Sequence, residues 1–242
     1  MRITVLTLFP DIYPPFLNSS IIKRAINKGV VKVKIVDIRD FSKDKHRHVD
    51  DTPYGGGAGM LLQVEPIVDA LRSVKTDKSR VLITSPKAKP FTQKDAIRLS
   101  KEEDIVIICG HYEGHDARVE DYVDERFSIG DYILTGGEVA SLVLIDAVTR
   151  LLKDAISSDS LDEESYDSCF LEYPQYTKPY EFEGKKVPDV LLSGDHKKIA
   201  HWRKKMALYE TLAYRKDLLK DHQYTDEEIK LLKELQDEIN NR

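Results

Sequence analysis

Cysteine is nearly missing from this chain of 242 residues, where only Cys109 and Cys169 occur. Two cysteines cannot build a disulfide framework or a Cys-rich zinc site. Their scarcity points to a reducing, cytoplasmic setting. Apolar runs of the roughly 18 to 20 residues that span a bilayer are also absent from the sequence. No signal-peptide cleavage pattern follows Met1-Arg2-Ile3-Thr4-Val5-Leu6, which reads as the start of a strand. Glycine is scarce as well: 12 occur, and nine of them lie between Gly55 and Gly137. At 41% hydrophobic and 33% charged residues, the composition excludes collagen, coiled coil, membrane protein and bulk disorder. One large globular domain or two small ones remain.

The net charge of −5 argues weakly against a nucleic-acid ligand, but it averages over an uneven chain. From Lys23 to Arg47 nine basic residues face three acidic ones, a block of +6. From Asp154 to Glu183 nine acids stand with Lys178 alone, a block of −8. From His196 to Lys216 seven Lys and Arg stand with one Glu, again +6. Two basic blocks around an acidic one can contact phosphates while keeping carboxylates at a reacting centre. Ordinary solvated helix faces give the same pattern, so charge alone does not decide.

Up to Arg150 the chain alternates strand and helix. Ile3–Leu8, Val30–Ile38, Val81–Ser85 and the unbroken apolar run Ile105–Gly110 read as strands, the last buried on both sheet faces. Asn18 is placed to cap a helix that stops at Gly29. Pro66 suits the first turn of a second helix, and Thr92 with Asp95 forms the capping box of a third. Glu138–Leu152 is apolar nearly all round and reads as a buried helix. This order predicts a mostly parallel α/β sheet. After Arg150 the chain turns acidic and Ser-rich through Asp167, as a linker does. Two helical patterns then follow, one over about Ile199–Tyr214 and one opening at Thr225 with Glu228 three residues on.

The glycines fall into three clusters, Gly55–Gly59, Gly110–Gly114 and Gly130–Gly137. Glycines after strands let backbone approach a ligand closely, though tight turns use them too. None of the clusters is a P-loop, because no Gly-Lys-Ser/Thr follows, and none has the dinucleotide spacing. A glycine-lined pocket near Tyr132, Ile133 and Leu134 better suits an adenine-bearing ligand without phosphates.

Several longer segments carry a resemblance. They are Leu8-Phe9-Pro10, Arg39-Asp40-Phe41, His46-Arg47-His48-Val49-Asp50-Asp51-Thr52-Pro53-Tyr54-Gly55-Gly56-Gly57, Gly110-His111-Tyr112-Glu113-Gly114, Ser128-Ile129-Gly130-Asp131-Tyr132-Ile133-Leu134, Pro188-Asp189-Val190-Leu191-Leu192-Ser193-Gly194 and His201-Trp202-Arg203. In this order, and over nearly the whole chain, they resemble the bacterial tRNA (guanine-N1)-methyltransferase family. The resemblance implies an α/β fold: an N-terminal trefoil-knot domain with a parallel sheet (1–156), an acidic linker (157–170) and a small, mostly helical tRNA-binding domain (171–242). It implies S-adenosyl-L-methionine as co-substrate, tRNA as partner and a homodimer; no membrane span, no structural metal and no further protein partner are expected. The reaction it implies is methyl transfer to N1 of guanosine-37, next to the anticodon. Methylation of rRNA or of a ribose hydroxyl is the alternative within this fold, and a non-catalytic RNA-binding relative is a third reading.

Carried over residue by residue, the resemblance assigns the co-substrate to Gly110, Tyr112, Ile129, Gly130, Asp131, Tyr132, Ile133, Leu134, Gly136, Gly137 and the segment Thr84-Ser85-Pro86. Glu113, Arg150 and Glu164 are the expected catalytic residues. Where the family has Asp-Ser-Phe, this chain has Glu164-Ser165-Tyr166, so Asp162, Glu163 and Asp167 stay as rival bases. The residue types suit the chemistry. Guanine N1 is protonated at pH 7 and needs a carboxylate as general base. An arginine can stabilise the charge that then develops towards O6. Arg150 has a plainer reading as the ion-pair partner of Asp146, one helical turn earlier. His46, His48, His111 and His115 are too loosely spaced for a metal site and read as exposed loop histidines.

Overall fold

The computed structural model of the protein describes residues 1–156 and 169–240. The chain divides into two compact units, Met1–Ser157 and Ser158–Arg242. Strands of the first unit are β1 (Arg2–Thr7), β2 (Lys32–Asp37), β3 (Asp50–Asp51), β4 (Leu61–Leu62), β5 (Ser79–Thr84), β6 (Asp104–Ile108) and β7 (Glu125–Phe127). Its helices are α1 (Tyr13–Leu17), α2 (Ser20–Asn27), α3 (Val64–Arg72), α4 (Gln93–Leu99) and α5 (Glu138–Thr149). Five strands form one sheet in the order β2-β1-β6-β5-β7, and every neighbouring pair is parallel.

Strand β6 shows why the sheet is covered on both faces. Successive side chains of a strand point to opposite faces, and here both sets are apolar. Ile105 and Ile107 join a core with Ile3, Val5 and the α5 residues Leu144, Ile145 and Val148. Val106 and Ile108 join a second core with Leu6, Val81, Ile83 and the α3 residues Ile67 and Leu71. The head of β6 is pinned by charge: Asp104 accepts hydrogen bonds from Arg2 Nε and Nη2, each at 2.6 Å. Burial pushes the Asp104 carboxyl up, but the bonds from Arg2 and Ser79 outweigh it and hold the group below its usual range.

Most local signals read from sequence operate as expected. Thr92 and Asp95 form the capping box of α4. Gly29 follows α2 with φ +72°, the left-handed conformation that favours glycine after a helix. Asn18 acts differently: its side-chain amide donates to Pro14 O at 2.8 Å. It closes α1, and Ser19 occupies the cap position of α2. Strand β7, three residues long, is too short to leave a periodic pattern.

In the second unit a hairpin of β8 (Glu181–Phe182) and β9 (Lys185–Lys186) precedes α6 (His196–Tyr214) and α7 (Asp226–Asn240). Helix α6 begins three residues before Ile199 because Asp195 accepts from the N–H groups of Lys197 and Lys198. Thr225 and Glu228 exchange hydrogen bonds at the start of α7. Leu208, Leu219, Leu231 and Leu235 form the core of this unit. Among the described residues no helix is long and apolar enough to cross a membrane.

Candidate active site

The carboxyl ends of β5, β6 and β7 open on a cavity of about 450 Å³. This is where open parallel sheets bind ligands, and the volume suits a small organic molecule. Its walls are the turns after those strands and the loop that leads into α5. All the residues expected to hold the co-substrate line it except Asp131, which is exposed and outside the lining.

Backbone hydrogen bonds lock these turns together. Gly110 N–H donates to Thr84 Oγ1 at 3.0 Å, and Gly137 N–H donates to Gly110 O at 2.7 Å. A β-carbon on Gly137 would come within 2.9 Å of Thr84 Cβ and 3.0 Å of Cys109 Cα. Only glycine lets the three segments meet so closely. A β-carbon on Gly136 would overlap His111 Nδ1 and Glu138 Oε2.

Two histidines depart from the sequence expectation. His111 and His115 line the cavity, with side chains only 19% and 11% exposed. The His111 ring packs against Phe9 and Tyr112, at centroid distances of 4.7 and 4.8 Å. Its Nδ1 is buried with no hydrogen-bond partner among the described residues and lies 3.9 Å from Glu138 Oε2. The Glu138 carboxylate is itself buried and accepts from Thr7 Oγ1 at 2.8 Å. His115 Nε2 lies 3.0 Å from Glu120 Oε1, and Arg126 donates to the other oxygen at 2.7 Å. Burial pushes Glu120 up, but Arg126 and His115 outweigh it and hold the carboxyl below its usual range. Sequence reasoning missed Glu120 and Arg126, because they belong to no glycine cluster and meet only through tertiary packing. His46 and His48 are exposed, as read from sequence. Cys109 lies fully buried, and burial, with the charge of Glu138, pushes its thiol up to about 12.

The first glycine cluster joins this site through Glu113, a cavity-lining residue whose N–H donates to Met60 O at 3.1 Å. Arg150 is not brought to the cavity of its own chain. It caps the far end of α5, while Glu138 starts that helix; twelve residues of helix rise about 18 Å. Residues 157–168, which hold Glu164, Asp162, Glu163 and Asp167 and most of the expected linker, lie outside the described residues. Among the described residues no group of three His, Cys, Asp or Glu is arranged to hold a metal ion.

A glycine-walled cavity at the carboxyl end of a parallel sheet, with backbone amides, apolar side chains and carboxylates, defines an α/β enzyme domain for a small co-substrate. The family model for tRNA (Guanine-1)-methyltransferase TrmD matches residues 1–221, and the chain belongs to that family. Curated proteins named tRNA (guanine-N(1)-)-methyltransferase are similar along their length. The one from Caldicellulosiruptor saccharolyticus is 52% identical over 234 residues, 96% of each chain. That from Lactobacillus johnsonii is 52% identical over 242 residues, all of both chains. That from Dictyoglomus turgidum is 48% identical over 240 residues, 99% of this chain and 98% of its own. With the family comes the fold that the resemblance implied, a knotted α/β domain followed by a helical one. The protein is a methyltransferase and uses a methyl donor.

Proposed function

We propose that the protein transfers the methyl group of S-adenosyl-L-methionine to N1 of guanosine-37 of tRNA, in the cytoplasm and as a homodimer. The observation that carries this reading is the cavity itself, in a chain of this family: the loops matched to co-substrate binding converge on it, Asp131 alone excepted. Its chemistry fits the ligand. Ile129, Ile133 and Leu134 offer apolar surface to an adenine ring, and the turns at Gly110 and Gly136–Gly137 leave no side chain in the way. Glu113 offers negative charge to a sulfonium. The bound donor supplies an activated methyl group. The protein's share is to align it with N1, which converts a bimolecular step into an effectively unimolecular one.

Glu164 takes the N1 proton in this reading, and Arg150 steadies the negative charge at O6. Arg150 stands ten residues along α5, about 15 Å, from Ala140 on the wall of its own chain's cavity. A complete site therefore takes Arg150 of the partner subunit, which is what makes a homodimer part of the proposal. The test is labelled S-adenosyl-L-methionine with a tRNA transcript and a second transcript bearing adenosine at position 37. Label should pass to the first transcript only. Transfer to both, or to neither, would overturn the reading.

A further inference from the structure

Helices α6 and α7 carry opposite charges. Helix α6 has five basic residues against one acidic, a net of +4, and α7 has six acidic against two basic, a net of −4. The charges meet along the seam between the helices. Lys204 Nζ lies 2.8 Å from Glu227 Oε2. Lys205 Nζ lies 2.6 Å from Glu238 Oε1 and 3.8 Å from Glu234 Oε2. His201 Nε2 lies 2.9 Å from Glu234 Oε2. Of the basic segment that the sequence offers to RNA, α7 thus already engages Lys204 and Lys205, and Lys198 pairs with Asp195 at 3.5 Å on its own side.

Lys204 and Glu227 are both exposed, and such a pair does little to hold helices together. Lys205 is only 14% exposed, held between Glu234 and Glu238, while the apolar contact of Leu208 with Leu231 and Leu235 joins α6 to α7. The larger effect of these pairs is on the field outside. An exposed lysine that takes a phosphate displaces counterions from the nucleic acid, which drives binding at low salt. Lys204 or Lys205 must first give up a carboxylate, so much of that gain is lost.

We propose that α7 is a built-in competitor for nucleic-acid phosphate. Glu227, Glu234 and Glu238 occupy the positions that RNA phosphates would take beside Lys204 and Lys205, and so weaken binding of RNA that offers only its backbone. Phosphates carry no sequence information, so every RNA meets the same penalty. Only an RNA that also enters the catalytic cleft recovers it. This inference rests on the proposed reaction with tRNA and on the tRNA-binding role that the resemblance implies for residues 171–242.

The test is equilibrium binding of the full chain to the tRNA transcript and to a poly-uridine strand, across a range of salt. The triple variant Glu227→Gln/Glu234→Gln/Glu238→Gln keeps the side-chain shapes and removes the charges. It should bind both RNAs at least about fivefold tighter at low salt, with the slope of log affinity against log salt steeper by roughly 0.7–0.9 for each lysine released. Where thermal melting shows the triple variant unfolded, Glu227→Gln alone should give the share of Lys204. Unchanged affinity and slope in a folded variant would overturn the competitor. A second pair, Lys197→Gln/Lys198→Gln, separates the two ideas. If it too leaves RNA binding unchanged, the tRNA-binding reading of this unit fails. If it weakens binding while the glutamate variants do nothing, only the competitor fails.

Discussion

Gly59 is packed directly against Glu113: a β-carbon at position 59 would overlap Glu113 Cγ and lie 2.9 Å from its Oε1. Gly59 also has φ +85°, which strains any L side chain by about 1–3 kcal/mol. Gly59→Ala should displace Glu113 and lower methyl-transfer kcat/KM by at least about tenfold. Gly29→Ala is the control, with φ +72° and nothing within 4 Å of the added carbon. It should lose similar stability by thermal melting and keep its activity. Equal activity loss in both variants would mean that backbone strain, not Glu113, is responsible.

Gly136→Val should abolish binding of S-adenosyl-L-methionine by calorimetry, because the new side chain collides with His111 and Glu138. The same variant tests the shared site. A heterodimer of Gly136→Val and Arg150→Ala chains holds one cavity with an intact glycine wall and an intact arginine from the other chain. It should regain up to about half of wild-type activity, while each variant alone stays inactive. Verified heterodimers without activity would mean that each chain works by itself.

Much of the fold and the cavity was legible from local chemistry. The apolar run Ile105–Ile108 announced a strand buried on both faces, and Thr92 with Asp95 announced the start of α4. Relations that only packing creates were not legible. The sequence places Arg150 at the end of a buried helix, but not at the opposite end from the cavity of its own chain. His111 and His115 looked like loop residues because their neighbours Phe9 and Glu138, or Glu120 and Arg126, come from other segments. The block His196–Lys216 reads as +6, yet Lys204 and Lys205 are met by acids that lie 23 and 33 residues further on. A knot leaves no trace in periodicity at all, and the rule that chains avoid threading argues against one.

The pair Arg2–Asp104 ties the first strand to the sixth and should be visible in the pH dependence of stability. Asp104 titrates lower folded than unfolded. Its contribution is therefore complete above the ordinary carboxylate pKa of about 4 and is lost as pH falls through the lower folded value. Asp104→Asn should cost about 2 kcal/mol in urea unfolding at pH 7. The gap from wild type should narrow as the pH drops below about 4. A gap that stays constant down to pH 2 would show that the ion pair is not its source.

Glu164→Gln keeps size and hydrogen bonding but removes basicity. It should slow single-turnover methylation by roughly 10²–10⁴, with little change in S-adenosyl-L-methionine affinity. Glu164→Asp should keep substantial activity. Wild-type rates in Glu164→Gln, with collapse in Asp162→Asn or Asp167→Asn, would move the base to a neighbouring acid.

Nucleoside analysis of the methylated product tests the central claim most directly. Digestion of a transcript treated with the wild-type enzyme and labelled S-adenosyl-L-methionine should release all the label as 1-methylguanosine, in one fragment spanning position 37. Label on a ribose hydroxyl, on another base atom or at another position would contradict the account.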